Sequence, residues 1–122
     1  MSLTNHGETE VLTLFAENTT YYLALFTDDP GESGATTNEV SGGSYARQAV
    51  TFGTPSSGSV SNSAAIEFPT ATGSWGTVSH WGLCDAATSG NVWWVGAITT
   101  PKAISTGDIY RVPIGNLTLT MD

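Results

Sequence analysis

The stretch Val78–Ile98, VSHWGLCDAATSGNVWWVGAI, contains three of the chain's four tryptophans and indicates a β-hairpin. Its two apolar runs are joined by the small-residue segment AATSG, which is typical of a connection between antiparallel strands. The second run, NVWWVGAI, is apolar on both faces, whereas a strand in a small antiparallel domain usually has one face in water. The stretch therefore predicts an antiparallel sheet whose second face is covered by another layer of the domain, another copy of the chain or a ligand. Because 122 residues hardly suffice for a three-layer body, we expect the helix and sister chains to cover it.

Short strands and turns continue along the rest of the chain. The strand predicted from YYLALF, residues 21–26, is also apolar on both sides, and NLTLTM alternates with Leu117, Leu119 and Met121 inward. Further strands are predicted in YARQAVTFG, SVSNSAAIEFP, KAIS and DIYRV, whereas only NHGETEVLTLFAEN has helical spacing. We therefore predict a mostly β fold, a single antiparallel β-sandwich of seven or eight short strands with one short N-terminal helix.

The chain length of 122 residues fits one domain. We predict two segments, an N-terminal helix or attachment segment at 1–17 and a β-sandwich at 18–122. The helix carries an apolar stripe formed by Val11, Leu12, Leu14 and Phe15. Two interpretations of this stripe stay open, because it could dock on another subunit or cap an open end of the sandwich.

The charge of the chain argues against two classes of binding partner. The formal net charge is −8, and the only basic side chains are Arg47, Lys102 and Arg111. A nucleic-acid-binding protein needs clustered cations to displace phosphate counterions, so neither nucleic acid nor an anionic membrane is expected as a partner. The first residues, MSLTNHGETE, lack the basic and apolar regions of a signal peptide, which favours synthesis in a cytoplasm. Cys84 has no second cysteine to pair with, so we expect a buried, reduced thiol.

Few residues of the chain indicate a catalytic or metal-binding site. His80 lies four residues before Cys84 on one predicted strand, which places the two side chains about 13 Å apart, too far for a nucleophile and its base. We expect His80 to be a packed strand residue. The acidic segment 28–39 contains DDPGES and Glu39 and could bind calcium, although a solvated loop is the simpler interpretation. We expect no enzyme activity, no cofactor and no metal site.

The paired tryptophans Trp93 and Trp94 are neighbours in sequence and are expected to point to opposite faces of a strand. One would then lie in the core and the other against a second layer or a subunit. Exposed tryptophans also bind sugar rings, so a carbohydrate-binding module is the competing hypothesis. The residues predicted to form an interface are Val11, Leu12, Leu14, Phe15, Tyr21, Trp81, Trp93 and Trp94.

Several blocks of the sequence resemble a family of small bacteriophage virion proteins that are often labelled tail fibre proteins. The similar blocks are YYLALFTDDP, EVSGGSYARQAVTFGTP, SNSAAIEFPTATGSWGTVSHWGLCDAATSGN, GAITTPKAISTGD and NLTLTMD. Among them, GGSYARQ and WGTVSHWGL are the most specific. Trp81 and Cys84 stand where other aromatic or aliphatic residues are expected.

The resemblance implies a non-enzymatic structural protein on the surface of a tailed bacteriophage particle, and it transfers no catalytic residue. We expect a capsid decoration protein that binds the major capsid protein and associates with itself as a homotrimer. The alternative is a tail-fibre or tail-tip component, partnered by tail proteins, that binds a carbohydrate or receptor on the host surface.

Overall fold

The computed structural model describes residues 4–18, 20–31, 33–56 and 58–120. Within these ranges the chain forms one helix and eight strands, which confirms the predicted fold class. Met121 lies outside the described residues, so its inward orientation stays a prediction. The elements are α1 (Asn5–Asn18), β1 (Tyr21–Phe26), β2 (Gln48–Val50), β3 (Ser59–Ser61), β4 (Ile66–Glu67), β5 (Gly76–Cys84), β6 (Val92–Ile104), β7 (Arg111–Val112) and β8 (Thr118–Thr120).

Helix α1 has the bounds that its spacing predicts. It begins after Thr4, whose hydroxyl oxygen accepts a hydrogen bond from the backbone N–H of Gly7 at 3.1 Å and so caps the first turn. The buried side chains of Glu8 and Leu12 are one turn apart on the face that meets the sandwich, and Leu12 belongs to the main core. No helix in the described part of the chain is long and apolar enough to cross a membrane.

Four antiparallel strands form the larger sheet in the order β2-β1-β5-β6. The predicted hairpin is β5 paired with β6, and β1 lies against the other edge of β5, with Tyr22 opposite Cys84 and Phe26 opposite His80. Two smaller pairs, β3 with β8 and β4 with β7, supply the strands of the second layer. The main core includes Leu23 and Leu25 from the larger sheet and Val60, Ile66 and Leu119 from these pairs.

The outer face of β1 is buried within a single chain. Ala24, Phe26 and Cys84 are fully buried there and pack with Val92. The long loop between β1 and β2 reaches this face, because a Cβ atom added to Gly34 would lie 3.1 Å from the Cβ atom of Val92. The expectation that the helix and sister chains cover this face is therefore wrong for β1, because the connecting loop of the same chain lies against it.

Two strand boundaries differ from the predicted ones. KAIS is not a separate strand, because β6 extends from Val92 through Pro101 to Ile104. Its pairing with β5 is interrupted between Ala97 and Lys102, where the register shifts. Proline is tolerated there because β6 is an edge strand. The segment SVSNSAAIEFP instead divides into β3 and β4. The buried amide of Asn62 ends β3 by donating hydrogen bonds to the carbonyls of Ala64 and Pro113.

Candidate interaction surfaces

A buried polar cluster joins the two long loops at one end of the larger sheet. The guanidinium of Arg47 donates to both carboxylate oxygens of Glu39 at 2.8 Å, and the Tyr45 hydroxyl donates to Glu39 Oε2 at 2.7 Å. Arg47 also donates to the backbone carbonyls of Ala86 and Ser89 in the β5–β6 connection. One cation therefore fixes the β1–β2 loop to the hairpin turn.

The charges of this cluster stabilise each other. Burial acts to raise the pKa of the Glu39 carboxyl, but the hydrogen bonds from Arg47 and Tyr45 outweigh it and hold that pKa below its usual value. The hydrogen bonds to Glu39 raise the pKa of Arg47 further, so the pair stays ionised. In the part of the chain that the structure describes, no buried side-chain nitrogen or oxygen lacks a hydrogen-bond partner, which indicates a structural role for this cluster. Sequence analysis missed the cluster because its members are connected only through the folded loops.

The segment that carries Trp93 and Trp94 is irregular. The pairing of β5 with β6 shifts between Leu83, which lies opposite Trp94, and Cys84, which lies opposite Val92, so Trp93 is the extra residue of a bulge. The ring centroid of Phe15 lies 5.8 Å from that of Trp93 and 5.0 Å from that of Trp94. The expected separation of the two tryptophans onto opposite faces therefore does not hold, because both rings approach one phenylalanine.

Trp93 is held in place although its side chain is 56% exposed. Its indole N–H donates to Asp85 Oδ2 at 3.0 Å, and Asp85 Oδ1 accepts the backbone N–H of Asn91 at 2.8 Å. The bond from Trp93, together with that from Asn91, lowers the pKa of Asp85. The ring of Tyr21 meets Trp93 nearly edge-on, with centroids 6.1 Å apart. A large apolar ring is thus presented to solvent in a fixed orientation.

The exposed margin of helix α1 lies beside this ring. Val11 is 41% exposed and Leu14 is 69% exposed, while Phe15 is half-buried between the helix and Trp93. Residues three and four apart on a helix are neighbours, so Val11 adjoins both Leu14 and Phe15. We call Val11, Leu14, Phe15 and Trp93 the helix–Trp93 patch. It is an apolar surface that the described part of the chain leaves open.

The second candidate surface is a groove where the two layers of the sandwich separate. We call it the β6–β7 groove. Its walls are residues 97–100 of β6 and residues 110–113 around β7, and its volume is about 330 Å³. Leu23 and Leu25 of β1 and Trp81 of β5 form the apolar floor. Burial raises the pKa of the Tyr110 hydroxyl, which therefore stays protonated and can donate a hydrogen bond.

The predicted interface residues divide into three groups in the structure. Leu12 and Tyr21 are buried within the chain and so belong to its core, which sequence periodicity alone did not separate from the exposed margin. Val11, Leu14 and Trp93 are exposed, and Phe15 and Trp94 are half-buried beside them. Trp81 lies apart from these residues, in the β6–β7 groove.

The residues considered as catalytic or metal-binding candidates lie in environments that are typical of structural residues. Cys84 is buried and unpaired, as predicted, and burial raises the pKa of its thiol, which keeps it protonated. His80 Nδ1 lies 2.8 Å from the hydroxyl oxygen of the adjacent Ser79. In the described ranges, no three acidic, histidine or cysteine side chains are grouped as metal ligands. Of the acidic segment, Glu39 binds Arg47, and Glu32 lies outside the described residues.

Comparison with known proteins gives one informative match. A protein-family model described as Podophage GP4 fiber I protein gp80 matches residues 3–120 of the chain. The match extends over the helix, both layers of the sandwich and both surfaces defined above. No curated protein sequence matches the chain.

Proposed function

We propose that this chain, which belongs to the family described as Podophage GP4 fiber I protein gp80, is a non-enzymatic structural subunit of a tailed-phage fibre. The helix–Trp93 patch is the surface through which it contacts another subunit of the particle. The observation that carries the proposal is the combination of the family match over residues 3–120 with an ordered, exposed apolar patch formed by Val11, Leu14 and Trp93.

The physical argument rests on how the patch is built. Exposed apolar side chains scattered singly are ordinary, but a contiguous group with a fixed aromatic ring is typical of protein interfaces. Asp85 orients Trp93 by a hydrogen bond, so little side-chain freedom is left to lose on binding. Tryptophan is also among the residues that dominate binding energy at interfaces.

The fibre assignment takes precedence over capsid decoration because the family description names a fibre. Capsid decoration remains the competing hypothesis, and a homotrimer remains the predicted oligomeric state. The patch supports self-association as well as binding to a different virion subunit. A fibre subunit would be seen at the tail fibres of the particle, whereas a decoration protein would be seen on the capsid surface. Imaging of the particle therefore separates the two assignments.

The experiment is to reconstitute particles with the Leu14→Asp variant of the full chain and to locate the protein by cryo-electron microscopy. Because Leu14 is 69% exposed, the variant will fold, but a charge buried at a contact costs several kcal/mol, so its incorporation will fall at least tenfold. Wild-type density at the tail fibres supports the proposal, and density over the capsid lattice contradicts it.

A matched control separates a lost contact from a lost fold. Thr77 is exposed and lies in β5 opposite Ala103, at the end of the hairpin remote from Trp93, so Thr77→Asp introduces the same charge outside the patch. This variant should assemble like the wild type. Normal incorporation of Leu14→Asp would show that the patch is not the attachment surface.

A second candidate function, binding of a host-surface carbohydrate, is favoured by one observation. Trp93 presents an exposed ring beside a shallow depression that Asp29, Gly31 and Gly34 also line. The C–H face of a sugar packs on such a ring. Titration of Trp93 fluorescence with neutral hexoses and host polysaccharide tests this candidate, and Trp93→Ala is the matched variant.

A further inference from the structure

One wall of the β6–β7 groove is a departure from regular strand pairing. Along β5 the single residue Ser79 separates two registers, whereas the same two registers on β6 are separated by four residues, Ile98 to Pro101. The first three of these four residues line the groove. Such an irregularity is a large β-bulge, and bulges are common beside functional sites because they redirect side chains. The groove is therefore bounded by a bulged segment, not by a straight strand edge.

The floor of the groove is apolar and includes an aromatic ring. Leu23 and Leu25 are buried core residues that the groove reaches between the layers. Trp81 is paired in register with Leu25, so its half-buried indole lies on the same face of the sheet and completes this floor. The groove thus offers an aromatic ring and two aliphatic side chains to the apolar face of a ligand.

The groove also carries polar groups that the folded chain leaves without partners. The indole N–H of Trp81, the hydroxyl of Tyr110 and the side-chain amide of Asn116 belong to lining residues, and no hydrogen bond joins these groups to another described residue. The indole N–H of Trp75, by contrast, donates to a backbone carbonyl. Within the described ranges no buried side-chain nitrogen or oxygen lacks a partner, so the three groups reach solvent. A ligand in the groove can therefore form hydrogen bonds with them.

The charge at the groove is close to balanced. Arg111 is the charged residue among those that line it, and it lies in register opposite Glu67 of β4. Directly opposed residues lie on one face of a sheet, so the carboxylate of Glu67 offsets this cation. An anionic ligand gains little there, and the net charge of −8 opposes its approach. A cationic ligand would meet Arg111, so the groove favours a neutral ligand.

A neutral ligand that matches both parts of the groove needs an apolar face and several hydroxyl groups. A pyranose ring has this composition, because its C–H bonds form an apolar face that packs on aromatic rings while its hydroxyls project around the edge. The groove volume of about 330 Å³ lies near the lower limit of small-molecule sites, which span about 300–1,000 Å³. That space suits one or two sugar rings.

We propose that the β6–β7 groove binds one or two neutral pyranose units of a saccharide, which pack on Trp81 and form hydrogen bonds with Tyr110 and Asn116. The inference goes beyond the proposed structural role, since subunit contact through the helix–Trp93 patch requires no ligand in the groove. The site is also separate from the depression beside Trp93, so variants distinguish the two.

The test titrates the full chain with the methyl glycosides of glucose, galactose, mannose and N-acetylglucosamine. Shifts of the backbone amides and of the indole N–H groups in NMR spectra locate binding. We expect saturable binding of at least one glycoside, with the largest shifts at the Trp81 indole and at residues 97–100 and 110–116. Sorbitol, an open-chain polyol without an apolar ring face, should cause no saturable shift. Glucuronate should bind no more tightly than methyl glucoside.

Matched variants assign the binding to the groove. Tyr110→Phe removes one hydroxyl but keeps the ring that packs against Phe68, so it should fold and weaken binding about fivefold, as expected for one lost hydrogen bond between uncharged groups. Asn116→Ala, at an exposed position, should weaken binding to a similar extent. Trp93→Ala should bind like the wild type, because Trp93 does not line the groove. Urea unfolding checks that each variant is folded.

The remaining outcomes overturn the proposal. Shifts confined to Trp93 and Trp94 would place the saccharide in the other depression, and the absence of saturation with every glycoside would leave the groove without this ligand. Tighter binding of glucuronate would contradict a neutral ligand. An oligomer in sedimentation velocity that protects the groove amides and excludes the glycosides would show that a second copy fills the groove.

The result does not depend on the fibre proposal. Leu14→Asp should bind the glycosides like the wild type, because Leu14 does not line the groove. Failure of glycoside binding in the wild type removes only the saccharide site, whereas normal incorporation of Leu14→Asp into particles removes only the attachment patch.

Discussion

The indole of Trp81 lies against Gly96 of the neighbouring strand, where these two residues are paired in register. A Cβ atom added to Gly96 would overlap three atoms of the ring, namely Cε2, Cζ2 and Nε1. Trp81 therefore extends across β6 because β6 has no side chain at that point, and this contact sets the floor of the β6–β7 groove.

Gly96→Ala should destabilise the protein by about 1–3 kcal/mol, because the added methyl group forces Trp81 or β6 to move. Urea unfolding measures the change. Gly53→Ala is the matched control, since its added Cβ would have 3.6 Å to the nearest atom, the carbonyl oxygen of Ser61. Equal stability of the two variants would show that Trp81 relaxes without cost.

Arg47→Met should lower the free energy of unfolding by about 3–5 kcal/mol, because it leaves the carboxylate of Glu39 without its charged partner. The side chains of the pair are only 5% and 14% exposed. Arg111→Met, at an exposed position, should change the stability by no more than about 0.5 kcal/mol. A similar small loss for Arg47→Met would mean that solvent readily enters the cluster.

Acid should lower the free energy of unfolding, because it protonates the carboxylate of Glu39. Its pKa in the folded chain lies below the unfolded value of about 4.3, so its stabilisation is complete above that pH and is lost as the pH falls through the folded pKa. Urea unfolding at several pH values between 7 and 3 should therefore show a steeper acid-side loss in the wild type than in Glu39→Gln. Parallel curves would contradict the assignment of this titration to Glu39.

The thiol of Cys84 should react with a bulky disulfide reagent only as fast as the chain opens, because it is buried and its pKa is raised. Labelling in native buffer should be slow and should become fast in denaturing urea. A rate in native buffer that approaches the denatured rate would show that the hairpin opens freely.

Leu12→Ala tests how far helix α1 is part of the core. Leu12 is fully buried, so the substitution should cost about 2–5 kcal/mol of stability, whereas Leu14→Ala should cost little because Leu14 is largely exposed. Circular dichroism during thermal unfolding compares the two variants. Equal melting temperatures would mean that the helix detaches without loss of the sandwich.

The outcome for the apolar stripe of α1 shows the limit of periodicity. The spacing of Val11, Leu14 and Phe15 predicts the helix and its bounds correctly, because local repeat and capping residues decide helix formation. The spacing does not show how much of the helix circumference packs against the sandwich. The docked face is centred on Glu8 and Leu12, which leaves Val11 and Leu14 at its exposed margin.

Four features of this protein can be predicted from its amino-acid pattern: the class of fold, the hairpin of β5 and β6, the two-sided apolar character of β1 and the burial of Cys84. These depend on alternation, turn composition and cysteine count, all of which are local or compositional. Three others become visible only in the folded chain: a loop covers the outer face of β1, Arg47 joins distant loops, and a bulge turns Trp93 toward Phe15. Those features depend on contacts between segments far apart in the chain and on a one-residue shift of register, which no local pattern encodes.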